Sequence, residues 1–272
     1  MLKLFIIIVI KIIVHPSNRG EVINRLLKFL GWQVFKRFIG CPILIKSCDN
    51  LFLAYPDCTI SFFLIYFKTH ENEELSVLKT YFNEGKAVFI DVGANIGFHS
   101  IVLRKYFLIV HAFEPNPEIF RRLKENVMLN GHTISANNVG VSDREGEMYL
   151  CSKSKVDSAA YLKDSSSDDT IPVRVVSLDN YIEENLIKER LVMKIDVEGG
   201  ELKVLQGTSK ALKEKKFDII QFEVLNEERF EEIRLFIESF QYDIYTIINN
   251  KLQPVHCFVK KQFNYFFIPS KD

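Results

Sequence analysis

The sequence predicts an α/β protein in which a mostly parallel sheet lies between two layers of helices. Three observations carry that expectation. Four strand-length runs, AVFIDV (87–92), LIVHAF (108–113), LVMKIDV (191–197) and FDIIQFEV (217–224), are apolar almost throughout, as strands covered on both faces must be. Each is followed by a stretch with apolar residues at helical spacing. Glycines and carboxylates gather at the carboxyl ends of these runs, where open α/β sheets bind their ligands.

Taken in chain order, residues 1–14 (MLKLFIIIVIKIIV) hold twelve apolar residues, but Lys11 interrupts the run before the ~20 residues that a membrane span needs. No small-x-small cleavage site follows, so a membrane-surface anchor is ranked ahead of a packed element, and that ahead of an atypical export signal. Residues 22–39 have the spacing of a basic amphipathic helix, which either packs on the main domain or leans on a membrane surface. Three strand-like pieces follow, PILIK, NLFLAY and TISFFLIYF. The boundary is placed there: residues 1–70 form an N-terminal extension and 71–272 the main domain.

Within the main domain, helices are expected near 72–83, 96–106, 117–130, 180–187, 200–215 and 226–240. Further strands are expected at ISANNVGV (134–141) and PVRVVSL, with YDIYTII (242–248) and NYFFIPS (264–270) closing the chain as a pair. The stretch 152–170 is rich in Ser and Asp and reads as a solvated loop. Asp179-Asn180 reads as a helix start, with Glu183 completing a capping box.

Charge narrows the function classes. The chain carries 35 Lys and Arg against 35 Asp and Glu, which argues against a nucleic-acid binder held by phosphate contacts. Five cysteines without CxxC spacing point to free thiols in a reducing, cytoplasmic setting rather than to a zinc or disulfide framework.

The first strand ends in Asp91-Val92-Gly93-Ala94-Asn95-Ile96-Gly97, directly before a helix. Its GxxxG spacing is neither the GxGxxG of a dinucleotide loop nor a P-loop. The second strand ends in Glu114, which can accept two hydrogen bonds from vicinal ribose hydroxyls or, more blandly, face a helix N-terminus. A nucleoside without a pyrophosphate, such as S-adenosylmethionine, fits that pair of strand ends.

FIDVGANIGFHS, HAFEPNPEIFRRLKENVMLN, NNVGVSDREGEM, VSLDNYI and MKIDVEGGELKVLQG, in this order, resemble the motif set of the FkbM-type S-adenosylmethionine-dependent methyltransferases over about residues 71–225. Gly200 stands where that family more often has alanine. The resemblance implies the class I, Rossmann-like methyltransferase sheet of seven strands with the last antiparallel. It also implies that Asp91, Gly93, Asn95 and Gly97 line the methionine end of the cofactor, that Glu114 holds the ribose and that Asn138 or its neighbours border the adenine.

The chemistry is expected at the fourth strand end. Period-two alternation puts Lys194, Asp196 and Glu198 on one side, and charges in so apolar a strand are costly unless paired or functional. Asp196 is the first choice for orienting or deprotonating an acceptor hydroxyl, with Lys194 tuning it and Glu223 as the neighbouring carboxylate. Glu198 and Glu201 equally suit a helix cap. A magnesium site between Asp196 and Glu223 is conceivable but is not the expectation. His99 and His111 read as packed. The expected activity is O-methylation of a sugar, glycan or glycolipid, or secondary metabolite, with an N-methyltransferase and an NAD or nucleotide-sugar oxidoreductase as the alternatives. The expected partners are that small-molecule or glycan acceptor and, through residues 1–14, a membrane surface.

Overall fold

In a computed structural model, residues 2–67, 72–81, 86–152 and 160–270 are described. The chain divides into two compact units, Met1–Asn72 and Glu73–Asp272.

The first unit holds α1 (Leu2–Val14), α2 (Val22–Phe38), the hairpin β1 (Ile43–Ser47) and β2 (Asn50–Ala54), and α3 (Thr59–Tyr66). Its core joins Ile12, Phe29, Trp32, Ala54, Ile65 and Tyr66. The Asn18 amide, fully buried, donates to the carbonyls of Ile12 (3.0 Å) and Tyr66 (3.1 Å) and ties the ends of α1 and α3 together. TISFFLIYF was expected as a strand and is a helix. A uniformly apolar run has no alternation to separate the two, and helical spacing brings Ser61, Leu64 and Ile65 to one buried face. The Ser61 hydroxyl accepts the Tyr55 N–H at 3.0 Å, fixing the turn before it.

The second unit begins within α4 (Asn72–Thr80) and then alternates: β3 (Val88–Val92), α5 (Phe98–Leu103), β4 (Ile109–Phe113), α6 (Pro117–Leu129) and β5 (Ser135–Asn137). A small excursion follows through β6 (Gly140–Val141), β7 (Gly146–Cys151), β8 (Tyr161–Lys163) and β9 (Thr170–Val176). The chain then returns through α7 (Leu178–Glu184), β10 (Leu191–Ile195), α8 (Glu201–Gln206), α9 (Ser209–Lys213), β11 (Phe217–Glu223) and α10 (Glu227–Glu238). It closes on β12 (Tyr242–Ile248), β13 (Lys251–Pro254) and β14 (Asn264–Pro269).

The main sheet has the order β13-β12-β14-β11-β10-β3-β4-β5. Strands β5, β4, β3, β10 and β11 are parallel, and β14 runs antiparallel between β11 and β12. This is the expected Rossmann-like methyltransferase sheet with one strand more. The eighth, β13, is a hairpin partner of β12 turned at Asn249-Asn250, both at positive φ. Val88, Ile90 and Val92 of β3, with alternate residues of β10 and β11, pack against α7 to α10 in the principal core. On the other face Ala112 of β4 packs on Leu123 of α6, and Phe89 stacks on Phe107 at 5.3 Å.

Three other expectations change. The strand foreseen over 134–141 splits, because the Asn137 and Asn138 side chains bond to the β4 end and stop the ladder; β6 then joins a second sheet of order β6-β9-β7-β8. That sheet takes Tyr161–Lys163 out of the stretch expected to be a solvated loop, of which 153–159 lie outside the described residues. The helix expected over 200–215 is two helices broken at Gly207-Thr208. A Cβ on Gly207 would sit 2.0 Å from the Ser142 carbonyl oxygen, so the backbone approaches there too closely for a continuous side-chain surface.

Candidate active site

The order of the sheet reverses between β3 and β10, since β3 has β4 on one side and β10 on the other. Crevices at such switch points, outside the carboxyl ends of the strands, are where doubly wound sheets bind ligands. The ladders pair Val92 with both Phe113 and Ile195, and Ile195 with Phe222. Gly93, Glu114, Asp196 and Glu223 are each the next residue, so four strand ends deliver them side by side.

Gly93 (φ +78°) touches the β10 end so closely that a Cβ would lie 1.8 Å from the Asp196 carbonyl oxygen. Its neighbour Asn95 is also left-handed (φ 50°), and Gly97 (φ +88°) is the N-cap of α5. The loop is held from below by Glu114. This buried carboxylate accepts the Asn95 N–H at 3.0 Å on one oxygen and the Asn116 N–H at 2.9 Å on the other. Burial raises its pKa to about 7, the two backbone donors oppose that rise, and the like charges of Asp196 and Asp91 add to it. Each oxygen keeps a lone pair free for a further donor.

Asp91, fully buried in β3, accepts both the N–H (3.1 Å) and the hydroxyl (2.6 Å) of Ser100 on Oδ2, pinning the first turn of α5 to the strand. Among the described residues its Oδ1 has no hydrogen-bond partner. Lys194 is the register partner of Asp91 on β10 and is buried; its ammonium lies 2.9 Å from Oδ2 of the half-exposed Asp196. Glu114 lies within electrostatic reach of both Asp91 and Asp196, so this switch point, with one lysine, is suited to a cation that also carries hydroxyls.

Beyond Asp196 the strand ends, so the expected alternation does not continue: Glu198 (φ 53°) and Gly199 (φ 102°) form a turn. Glu201, at the start of α8, accepts the Gly199 N–H at 2.8 Å, and burial raises its pKa. A cavity of ≈ 120 Å³ opens here, lined by Asp196, Glu198, Glu201, Glu223, Asn226 and Arg229. Asn226 caps α10 through the Arg229 N–H (3.0 Å), and the Arg229 guanidinium donates to the Gly199 carbonyl. Arg229 was not foreseen. Its helix was legible, but only the fold brings its side chain 30 residues back to the turn after β10.

The Asn138 amide donates to the Glu114 (2.8 Å) and Pro115 (3.1 Å) carbonyls and braces the β4 end. His99 is buried edge-on to Phe98, and His111 meets the Tyr181 hydroxyl at 2.8 Å with its pKa lowered by burial. The expected capping box at Asp179 is not formed. Ser177 caps α7, while the Asp179 carboxylate accepts the N–H groups of Lys210 (2.8 Å) and Ala211 (2.9 Å) at the start of α9, and Glu183 pairs with Lys210. No group of three or more His, Cys, Asp or Glu that could hold a metal ion occurs among the described residues.

A doubly wound sheet of this order, with its glycine turn and strand-end carboxylates at the switch point, defines the class I methyltransferase fold. The methyltransferase FkbM domain matches residues 91–244, and the chain belongs to that family. It is 33% identical over 134 residues to the hexuronic acid methyltransferase AglP of Haloferax volcanii, covering 49% of this chain and 55% of that protein. It is 29% identical over 140 residues to a tRNA (guanine(37)-N(1))-methyltransferase of Saccharomyces cerevisiae, covering 49% of this chain and 28% of that protein. The chain thus spans about half or less of the length of these curated relatives. Among solved structures, a SAM-dependent methyltransferase from Agrobacterium tumefaciens superposes with a TM-score of 0.46 at 10% identity, covering 86% of this chain and 71% of that one. An rRNA methylase from Streptococcus thermophilus gives 0.45 at 12% identity, covering 73% and 95%.

Proposed function

We propose that this chain binds S-adenosylmethionine at the β3–β4–β10 crevice and catalyses methylation of a hydroxyl on a sugar-containing acceptor. The observation that carries the reading is the set of three carboxylates, Asp91, Glu114 and Asp196, that the strand ends gather around the Gly93 contact, in a chain of the FkbM family. The residues suit the cofactor. Glu114 offers a lone pair on each oxygen to the ribose hydroxyls, Asp91 has an oxygen in need of a donor, and the left-handed backbone of Gly93, Asn95 and Gly97 shapes the turn beside them.

Bound S-adenosylmethionine supplies a methyl carbon on a positively charged sulfur. The chain's own residues then have three tasks. Glu114, with Asn138 bracing the backbone behind it, fixes the nucleoside end. Asp196, held by Lys194 at 2.9 Å, orients the acceptor hydroxyl and takes its proton as the oxygen attacks. Glu198, Glu223 and Asn226 present further acceptors to a hydroxyl-rich ligand in the adjoining cavity.

A sugar is favoured over RNA by two observations. The relative matched at the higher identity is named for a hexuronic acid. The catalytic unit, residues 73–272, carries 26 Lys and Arg against 31 Asp and Glu, a charge of −5 that repels a phosphate backbone. The FkbM match gives no support to the oxidoreductase alternative.

Calorimetry with S-adenosylmethionine and with NAD tests the cofactor, and transfer of labelled methyl to hexose-bearing glycans, uronate-bearing glycans and tRNA tests the acceptor. Binding of NAD alone, or label in tRNA and in no glycan, would overturn the reading.

A further inference from the structure

We propose that the N-terminal unit docks the protein on an anionic lipid bilayer, with the outer stripe of α2 lying in the interface. Five apolar residues of α2, Ile23, Leu27, Leu30, Val34 and Phe38, are 48–77% exposed. At 100° per residue they fall within an arc of about 80°, a continuous stripe about 22 Å long. The opposite side of the same helix is already used: Phe29 and Trp32 are in the core of the unit, and Arg25 donates to the Ile65 and Phe67 carbonyls. The helix therefore has two apolar faces, and no described residue of the N-terminal unit covers the outer one. Its neighbour α1 adds Ile6, Ile7, Ile10, Ile13 and Val14, each 47–68% exposed. An apolar surface of this extent on one small unit marks an interaction site.

Charge identifies the occupant. Residues 1–39 carry seven Lys and Arg and a single acidic residue, Glu21, which is paired with Arg25 at 3.1 Å. Lys11, Arg19, Lys28 and Arg37 are exposed. A second copy presenting the same stripe would bring two such cationic segments together, whereas anionic headgroups complement them. A helix with a wide apolar face and flanking Lys and Arg is the type that lies in the plane of a bilayer surface. Among the described residues no helix is long and apolar enough to cross a membrane.

The test is co-sedimentation of the full chain with vesicles of phosphatidylcholine alone and of phosphatidylcholine with about one third phosphatidylglycerol. The expected result is binding to the anionic vesicles, little to the neutral ones, and release as salt is raised from ~0.1 to ~0.5 M. Leu27→Glu/Val34→Glu should weaken binding at least tenfold with an unchanged melting transition. If that variant does not melt cooperatively, Lys28→Gln/Arg37→Gln decides, with an expected loss of about fivefold per charge. Equal binding to both vesicle types, undiminished binding by the folded variants, or a concentration-dependent dimer in place of vesicle binding would each overturn the proposal.

Discussion

Replacing Glu114 by Gln separates what its charge does for the fold from what it does for the ligand. Its carboxylate is buried between two backbone donors, with a pKa raised from 4.5 to about 7. A raised carboxylate pKa means that its contribution to stability is fully present below the unfolded value of 4.5 and is lost as pH rises through about 7. At pH 8 the buried charge therefore costs about 3 kcal/mol, at about 1.4 kcal/mol per pH unit. The Glu114→Gln substitution removes that cost but turns an NH2 group toward either Asn95 or Asn116, leaving one buried N–H without an acceptor at about 1–3 kcal/mol. The two effects nearly cancel, so the variant should stay folded at pH 8 with a similar urea midpoint. Ligand affinity should not survive as well. Two charge-assisted hydrogen bonds from ribose hydroxyls weaken, costing about 2–4 kcal/mol, or about 30- to 1000-fold in Kd for S-adenosylmethionine. Hydroxyl donors favour the ionised carboxylate, so wild-type affinity should rise about tenfold more from pH 6 to pH 8 than that of the variant, as the ionised fraction climbs through a pKa near 7. Calorimetry at both pH values reads both quantities. An unchanged Kd in the folded variant, or the same pH slope in both proteins, would refute the assignment of Glu114 to the ribose.

Other outcomes follow from the same geometry. Asp196→Asn should weaken S-adenosylmethionine binding by about tenfold or less, through loss of one of three neighbouring charges, while methyl transfer from the bound cofactor falls about 10²- to 10⁴-fold, read by single-turnover label transfer. Gly93→Ala places a Cβ 1.8 Å from the Asp196 carbonyl in a left-handed backbone, and should cost about 3 kcal/mol or more in urea unfolding. Asp179→Ala removes the acceptor for two N–H groups at the start of α9 and should destabilise by about 1–2 kcal/mol without altering cofactor affinity; a loss below about 0.3 kcal/mol would show that water replaces the cap.

Much of the main sheet was legible because its signal is local. Strands covered on both faces must be apolar throughout, so β3, β4, β10 and β11 stand out from their composition, and Asp91, Glu114, Asp196 and Glu223 stand out as the charges that interrupt or end them. What failed locally was a matter of competing partners. The run that became α3 has no period to choose by. The paired asparagines at the end of β5 bond to the neighbouring strand end, and one close approach at Gly207 divides a helix whose periodicity is unbroken.

The sequence by itself determined the strand–helix alternation, the glycine turn, the strand-end carboxylates and the concentration of positive charge in the first 39 residues, since each depends on residue type and short-range spacing. Only the tertiary structure decided which ends meet. It set β3 between β4 and β10, brought Lys194 onto Asp196 and Arg229 onto the Gly199 turn, and gave Glu114 its two backbone donors. It also decided which of the two apolar faces of α2 the chain itself covers. Pairing between residues distant in sequence depends on register and burial, and the same burial that raises the Glu114 pKa is a property of the folded chain alone.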